Sequence, residues 1–217
     1  MKDIRPRRGK YYLQRLIAEG EHENQDFKFQ ISDARKIARS ISAFANNSGG
    51  RLLIGVKDNG VIAGVRNEED IYVIEQAAQL YCRPAQAPEF SAYKDEEGAV
   101  VIIAEIAPAG HRPVQASEPD GTWRAYYRVA DENIVASSLM VKAWRRKASD
   151  RPAMFSLSDS ENRLIELLSS GRCVSLEDVM TECRMSSTAA EEMILNLYAL
   201  DAIDFRCVNH QFLIAAQ

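Results

Sequence analysis

The sequence predicts an α/β (α+β) protein in two parts, a mixed-sheet domain over residues 1–150 and a small, mostly helical domain over 151–217. Three observations predict it. The run Ser42 to Gly60, SAFANNSGGRLLIGVKDNG, reads as a helix end, a glycine turn, an apolar strand and a second turn. Strand-like and helix-like segments alternate as far as Lys147, the pattern of a sheet packed with helices. A polar break at Ser149-Asp150-Arg151-Pro152-Ala153 then separates this part from short helical segments preceded by serines.

Lys2, Arg5, Arg7, Arg8 and Lys10 against the one acid Asp3 make a basic opening arm, and Tyr11 to Ala18 reads as a short amphipathic helix. Without aromatic interleaving the arm is expected to be a solvated, frayed terminus rather than a phosphate-contacting one. Asn24 to Gln30 alternates as a strand. Ser32-Asp33 then cap a helix carrying Ile37, Ile41, Ala43 and Phe44 towards a sheet and Arg35, Lys36 and Arg39 on other faces. Leu52 to Val56 is a buried strand, and Asn59-Gly60 predicts the type I′ turn of a hairpin into Val61-Ile62-Ala63. Glu68-Glu69-Asp70 open a helix through Ile71 to Leu80 that Arg83-Pro84 ends.

Phe90 to Tyr93 and Ala99 to Ile106 form a hairpin around Asp95 to Gly98, Arg124 to Val129 adds a strand, and Ser138 to Lys147 a helix. Beyond the break, Ser158 or Ser160 caps Glu161 to Leu168, Ser175 caps Leu176 to Cys183, and Thr188 to Leu200 makes a third helix. Strands at Ala202 to Phe205 and Gln211 to Ile214 complete the order of a winged helix. Its third helix opens Ser186-Ser187-Thr188-Ala189-Ala190-Glu191-Glu192, with acids where a base-reading helix offers Arg, Lys, Asn or Gln. Dimerisation or protein docking is the expected role of this copy.

At 217 residues, 46% hydrophobic and 27% charged, the chain is long enough to bury a real core. No apolar run approaches the roughly 20 residues of a membrane span, and MKDIRPRRGK has no apolar leader, so a cytoplasmic protein without membrane contact is expected. Cys82, Cys173, Cys183 and Cys207 are scattered without a CxxC pair and are read as reduced thiols; with His210 they match no common zinc spacing. Net charge is −4, but residues 155–217 hold four arginines against ten acids, leaving 1–154 at +2, so any nucleic-acid surface belongs to the N-terminal part.

With Glu21 to Lys28 (EHENQDFK), Ile62 to Val65 (IAGV) and Tyr126 to Ser137 (YYRVADENIVAS), the glycine-turn run resembles, in order, the motifs of the Schlafen AlbA_2 (divergent AAA-4) family. The resemblance covers roughly residues 10 to 147. It implies a nucleic-acid-binding, DNA-first transcriptional regulator acting as a homodimer and needing no cofactor. In Schlafen-type ribonucleases of that family, two acids five apart and an acid closing the glycine-turn strand bind a divalent metal, and Glu21, Asp26 and Asp58 match them here. Asp26 departs from the pattern, because the family residue is usually Glu. The alternative reading is therefore an RNA endonuclease with Mg²⁺ or Mn²⁺ on these three carboxylates and Lys28 neutralising the phosphate. A protein-interaction module without nucleic acid is the third.

The plain structural reading of the same residues is that Asp26 pairs with Lys28 or Arg35 and that Asp58 begins a turn. The pattern argues against ATP hydrolysis: Gly49-Gly50 with Gly55 is no GxxxxGK[ST], and a strand follows it rather than a helix. His22, His111 and His210 sit in no Ser or Cys nucleophile motif. Lys28, Arg35, Arg39, Arg51, Arg112 and Arg128 are the candidate phosphate contacts for DNA or RNA, with Arg124 beside Tyr126-Tyr127.

Overall fold

The computed structural model describes residues 4–65, 69–154 and 158–217; Lys2, Asp3 and Glu68, named in the sequence analysis, lie outside them. In chain order the N-terminal unit contains β1 (Arg7–Arg8), α1 (Lys10–Glu19), β2 (Gln25–Lys28), α2 (Ala34–Ala45), β3 (Gly50–Ile54), α3 (Glu69–Leu80), β4 (Cys82–Arg83), β5 (Glu89–Lys94), β6 (Val100–Ile106), β7 (Gln115–Ser117), β8 (Trp123–Val129) and β9 (Glu132–Val135). The C-terminal unit contains α4 (Ser138–Lys147), α5 (Asp159–Ser169), α6 (Leu176–Glu182), α7 (Ser187–Ala199), β10 (Ile203–Val208) and β11 (Gln211–Ala216).

The glycine-turn run builds the centre of the N-terminal unit. Asp33 caps α2 by accepting the Arg35 and Lys36 N–H groups at 2.9 and 3.3 Å. Asn46 follows the last helical turn, and Gly49, at φ +82°, swings the chain into β3. A Cβ on Gly49 would stand 2.8 Å from the Ile106 carbonyl, so only glycine lets the strand leave this close to its neighbour. β3 lies in a five-stranded mixed sheet of order β1-β5-β6-β3-β2, parallel to β2 and antiparallel to β6. The second sheet, β4-β7-β8-β9, is antiparallel.

α2 is buried between the two sheets. Its Ile37, Ile41 and Phe44 share one core with Leu52, Ile54, Ile102 and Ala104 of the first sheet, Ala116 and Tyr126 of the second, and Ile71 and Ile74 of α3. α1 covers the opposite face of the first sheet, setting Leu13 and Leu16 on Phe27, Leu53, Val101 and Ile103. Alternate residues of β6 thus serve two cores, which is why it reads as a continuous apolar run rather than an alternation.

Two local expectations are corrected. Residues 61–63 make one bridge, Val56 to Ile62, and no strand, and of residues 57–60 only Gly60 has positive φ, so the turn is not type I′. The reason is Gly55 at φ +93°: its carbonyl accepts both Ala63 and Gly64 N–H groups, folding the chain across the strand end instead of along it. The arm at Arg7–Arg8 is no frayed terminus either. It is a parallel edge strand on β5, with Arg7 opposite Tyr93 and Arg8 opposite Lys94.

Compactness groups residues 111–113 and Ala136–Gln217 as the second unit, so α4, expected before the boundary at 150, belongs with the C-terminal helices. There α4 packs on α7, with Trp144 2% exposed. Capping boxes at Ser158/Glu161 and Ser175/Asp178 start α5 and α6. The β10–β11 hairpin turns through Asn209 and His210, both at positive φ. All four cysteines are free, Cys82 and Cys183 buried. Among the described residues no helix is long and apolar enough to cross a membrane.

Candidate nucleic-acid interface

β2 carries the two acids' meeting point on an edge of the first sheet. Asp26 is 4% exposed, and both its oxygens face cations: Oδ2 lies 2.7 Å from Lys28 Nζ and Oδ1 3.3 Å from the Arg128 guanidinium. Glu21 reaches the same place, accepting the Phe27 N–H at 2.8 Å and hydrogen-bonding Asp26. Burial pushes the Glu21 carboxyl up, and the shared hydrogen bond with Asp26 pushes it further. Burial works against Asp26 too, but the Glu21 hydrogen bond, Lys28 and Arg128 outweigh it and hold its carboxyl below the usual range. Asp58 is exposed, in the turn four residues beyond Ile54, which is the residue level with Lys28. Among the described residues no three His, Cys, Asp or Glu side chains group as metal ligands. As the side chains stand, this donor set does not fit a divalent ion, because its central carboxylate is already doubly paired.

Arg128 is 2% exposed, and its guanidinium is fully engaged inside the protein. Besides Asp26 it meets Asn133 Oδ1 at 3.0 Å and the Gln25 carbonyl at 3.4 Å, and it lies 5.3 Å over the Phe44 ring. Having no face for a phosphate, it leaves the set of candidate contacts and becomes a structural ion-pair partner. Arg51 is half-buried, paired with Glu19 and donating to Gln25 Oε1 at 2.6 Å. The fully buried Gln25 in turn donates to the Leu16 and Gly20 carbonyls at 2.6 and 2.7 Å, tying α1 to β2. Arg112, in the C-terminal unit, lies 5.8 Å over Trp144.

The polar residues ending α2 are scaffolding. Backbone N–H and C=O of one strand residue point to the same side; Tyr126 gives its N–H to Ser42 Oγ at 3.0 Å, so its carbonyl also faces α2 rather than β9. Asn46 Nδ2 supplies the donor for that carbonyl at 2.9 Å, exchanges two further bonds with Val114 at 2.7 Å each, and is fully buried. Asn47 does the same for the Arg128 carbonyl at 3.1 Å. Side chains of α2 thus continue the ladder where β7 stops, satisfying groups that would otherwise be buried without partners.

A second cluster, of different character, surrounds the start of α2. Arg35 lies 4.9 Å over Tyr81, Arg83 4.4 Å over Trp123, and Arg39 5.8 Å over Tyr126. β4 and β8 flank β7, and the register sets Arg83 and Trp123 on the outer face of the second sheet; Arg124, the next residue of β8, lies on the opposite face with Tyr126, and Lys36 of α2 is also exposed. Arg39 also forks onto Glu118, donating from Nε at 3.1 Å, and the buried Glu118 accepts the Tyr126 hydroxyl at 2.5 Å. Burial raises Glu118, but the hydrogen bonds from Arg39 and Tyr126 hold its carboxyl below its ordinary value, while burial and the same bond push the Tyr126 hydroxyl up to about 12. Arg35 Nε is buried with no hydrogen-bond partner. A guanidinium stacked on a ring keeps its in-plane N–H donors aligned for a phosphate or a base edge.

Of the predicted contacts, then, Arg35 and Arg39 lie at the start of α2, Lys28 and Arg128 sit with the carboxylates, and Arg51 and Arg112 lie elsewhere. Tyr81, Arg83 and Trp123 escaped the sequence reading. The signal available was the closeness of aromatic and basic residues in Tyr81-Cys82-Arg83 and Trp123-Arg124.

A helix held between two sheets and left through a glycine turn into a central strand defines an α+β protein. The chain belongs to the Schlafen AlbA_2 family, whose model matches residues 21–137. That span contains both clusters and ends where α4 begins. A search of curated proteins finds no match. Among solved structures, the crystal structure of the DIP2311 protein from Corynebacterium diphtheriae is similar at 19% identity and a TM-score of 0.46, over 93% of this chain and 37% of that one. The chain thus spans little more than a third of that protein's length.

Proposed function

We propose that this protein binds nucleic acid, DNA first, as a transcriptional regulator of the Schlafen AlbA_2 type. The observation that carries the reading is the concentration of cations around the second sheet: Arg83 stacked on Trp123 on its outer face, and Arg35 stacked on Tyr81 with the exposed Lys36 and Arg124 on the side of α2. Such a surface contacts phosphates and offers rings without a fixed donor pattern for bases, so sequence preference is modest. The C-terminal unit, winged-helix-like in its order of three helices and a hairpin, serves dimerisation or docking: in α7, Glu191 and Glu192 pair with Lys142 and Arg151, and acids there repel a phosphate backbone. The working form on this reading is a homodimer.

Binding of labelled duplex DNA across a salt series tests the proposal. Removing one cation from a phosphate lowers the slope of log K against log salt by about 0.9, so Arg35→Ala, Arg83→Ala and Arg124→Ala together lower it by about 2.7. An unchanged slope would refute the assigned face.

The rival reading, an RNA nuclease using Mg²⁺ or Mn²⁺ on Glu21, Asp26 and Asp58, is favoured by one observation: Glu21 and Asp26 do meet, with their affinities for protons pushed in opposite directions. It requires Asp26 to release Lys28 and Arg128 and Asp58 to join it. Manganese-dependent cutting of tRNA that disappears in Asp58→Ala would establish it over the binding protein.

A further inference from the structure

The basic arm, which precedes the family-matched span, docks as β1 and creates with β5 a surface outside both clusters. Gly9 lets the chain pass flat against β5, since a Cβ there would stand 2.5 Å from the Tyr93 ring. The strand is fixed by its pairing with β5 and by the Gly9 N–H on the Lys94 carbonyl at 3.1 Å. Arg8 and Lys94 are thereby set side by side with Arg7 on the other face of the same edge, all three exposed, and none of their side chains has a hydrogen bond or ion pair among the described residues. Tyr11 is 81% exposed, and Arg15 lies 5.5 Å over Tyr12. A cleft of about 620 Å³ is lined by Arg8, Lys10, Tyr11, Tyr12, Lys94 and Glu96. Of the acids in the adjacent turn, Glu96 pairs with Lys10 and Asp95 accepts the Ala99 N–H at 2.8 Å, while Glu97 is exposed.

We propose that this edge, Arg7, Arg8 and Lys94 with Tyr11, is a second contact surface that holds single-stranded nucleic acid. Two partners compete for a basic, aromatic sheet edge. A second copy pairing strand to strand would bring Arg7 and Arg8 against their own like charges, the device by which edges avoid each other. A nucleic-acid strand instead supplies the missing anions, and an unpaired base supplies a flat face for Tyr11 that a duplex keeps inside its stack. β1 and β2 are the two edges of the five-stranded sheet, four strand spacings or about 19 Å apart, so this surface is separate from the Glu21–Asp26 cluster.

The inference rests on the nucleic-acid reading above, and the test separates the two. Anisotropy of labelled oligothymidine and of a duplex, each roughly 20 nucleotides long and measured from about 50 to 200 mM salt, is compared for the full chain, Arg7→Ala/Arg8→Ala, Tyr11→Ala and the Arg35/Arg83/Arg124 variant. The double arginine variant is expected to lower the oligothymidine slope by about 1.4, two contacts at about 0.7 each. Tyr11→Ala is expected to weaken oligothymidine on the order of five-fold to a hundred-fold and leave the duplex unchanged. Because these side chains are exposed, unchanged melting temperatures verify folding, and Arg8→Lys should keep the slope. A parent that binds neither probe overturns both proposals. A parent whose binding falls only in the Arg35/Arg83/Arg124 variant, or a Tyr11→Ala that loses duplex and single strand equally, overturns this one alone.

Discussion

Replacing Asn46 by alanine asks whether the polar end of the glycine-turn run is scaffold or site. Asn46 accepts the Val114 N–H at 2.7 Å and donates to the Val114 and Tyr126 carbonyls at 2.7 and 2.9 Å. Ser42 Oγ, at 2.8 Å, still serves the Val114 carbonyl after the change. Alanine therefore strands two buried groups, the Val114 N–H and the Tyr126 carbonyl. At about 1–3 kcal/mol for each, the loss is about 2–6 kcal/mol. For a chain of this size that lowers the melting midpoint by roughly 4–24 °C. Asn46→Asp sharpens the test: it keeps an acceptor for Val114 but aims a carboxylate at two carbonyls, so its deficit should shrink as falling pH gives it a proton to donate. Thermal unfolding followed by circular dichroism, with DNA binding measured well below the midpoint, reads both quantities. An Asn46→Ala protein that melts within roughly 2 °C of the parent yet loses DNA affinity would refute the scaffold assignment.

Three other perturbations probe the buried charges and thiols. Glu118 has its folded pKa depressed below the ordinary 4.5, so its contribution is complete above that value and is lost as pH falls through the folded pKa. Melting temperature measured between about pH 6 and pH 3 should therefore fall more steeply in the parent than in Glu118→Gln, and parallel curves would contradict the Arg39 and Tyr126 assignment. Arg128→Met leaves the buried Asp26 with Lys28 as its only cation and should cost about 3–5 kcal/mol in denaturant unfolding. Adding Asp26→Asn should recover part of that loss, and additive effects would mean the two do not interact. Burial pushes the Cys82 thiol up to about 12 and raises Cys183 as well, so iodoacetamide on the native protein should label Cys173 and Cys207 first, as peptide mass mapping would show.

What the sequence made legible is what neighbouring residues decide. Asp33, Ser137, Ser158, Ser175 and Ser186 each cap the helix that follows by bonding an N–H two or three positions on, so helix starts were readable to within a residue or two. The β5–β6 hairpin shows the same, with its loop and both strands contiguous. Features made by distant partners were not legible. β1 exists because Arg7 and Arg8 find β5, and β4 and β7, two and three residues long, are too short to show an alternation. Arg128 sits between Tyr127 and Val129 like any cation on an exposed strand; its burial depends on partners such as Gln25, 103 residues away. The three stacks, Arg35 on Tyr81, Arg39 on Tyr126 and Arg83 on Trp123, likewise join residues distant in the sequence.

The best-marked residues of the family signature are used in construction: Gly49 for the turn, Asn46 and Asn47 for the open ladder of β8, Arg128 and Asp26 for joining the second sheet to β2. A chain carrying these residues is committed to the architecture, whatever it binds. The groups proposed to meet a ligand, Arg83 and Trp123 on the outer face of the second sheet, Arg124 on its other face, and Arg7, Arg8 and Tyr11 at the edge of the first sheet, lie outside that set. Since each can change without disturbing a buried bond, ligand choice can vary while the fold is held. Exchanging Arg83 and Arg124 for glutamate should therefore abolish DNA binding at unchanged melting temperature, whereas Asn46→Ala or Arg128→Met should lower the melting temperature and leave binding, measured well below the midpoint, in place. Loss of binding and loss of stability in the Arg83/Arg124 protein alike would show that recognition and scaffold are not separable here.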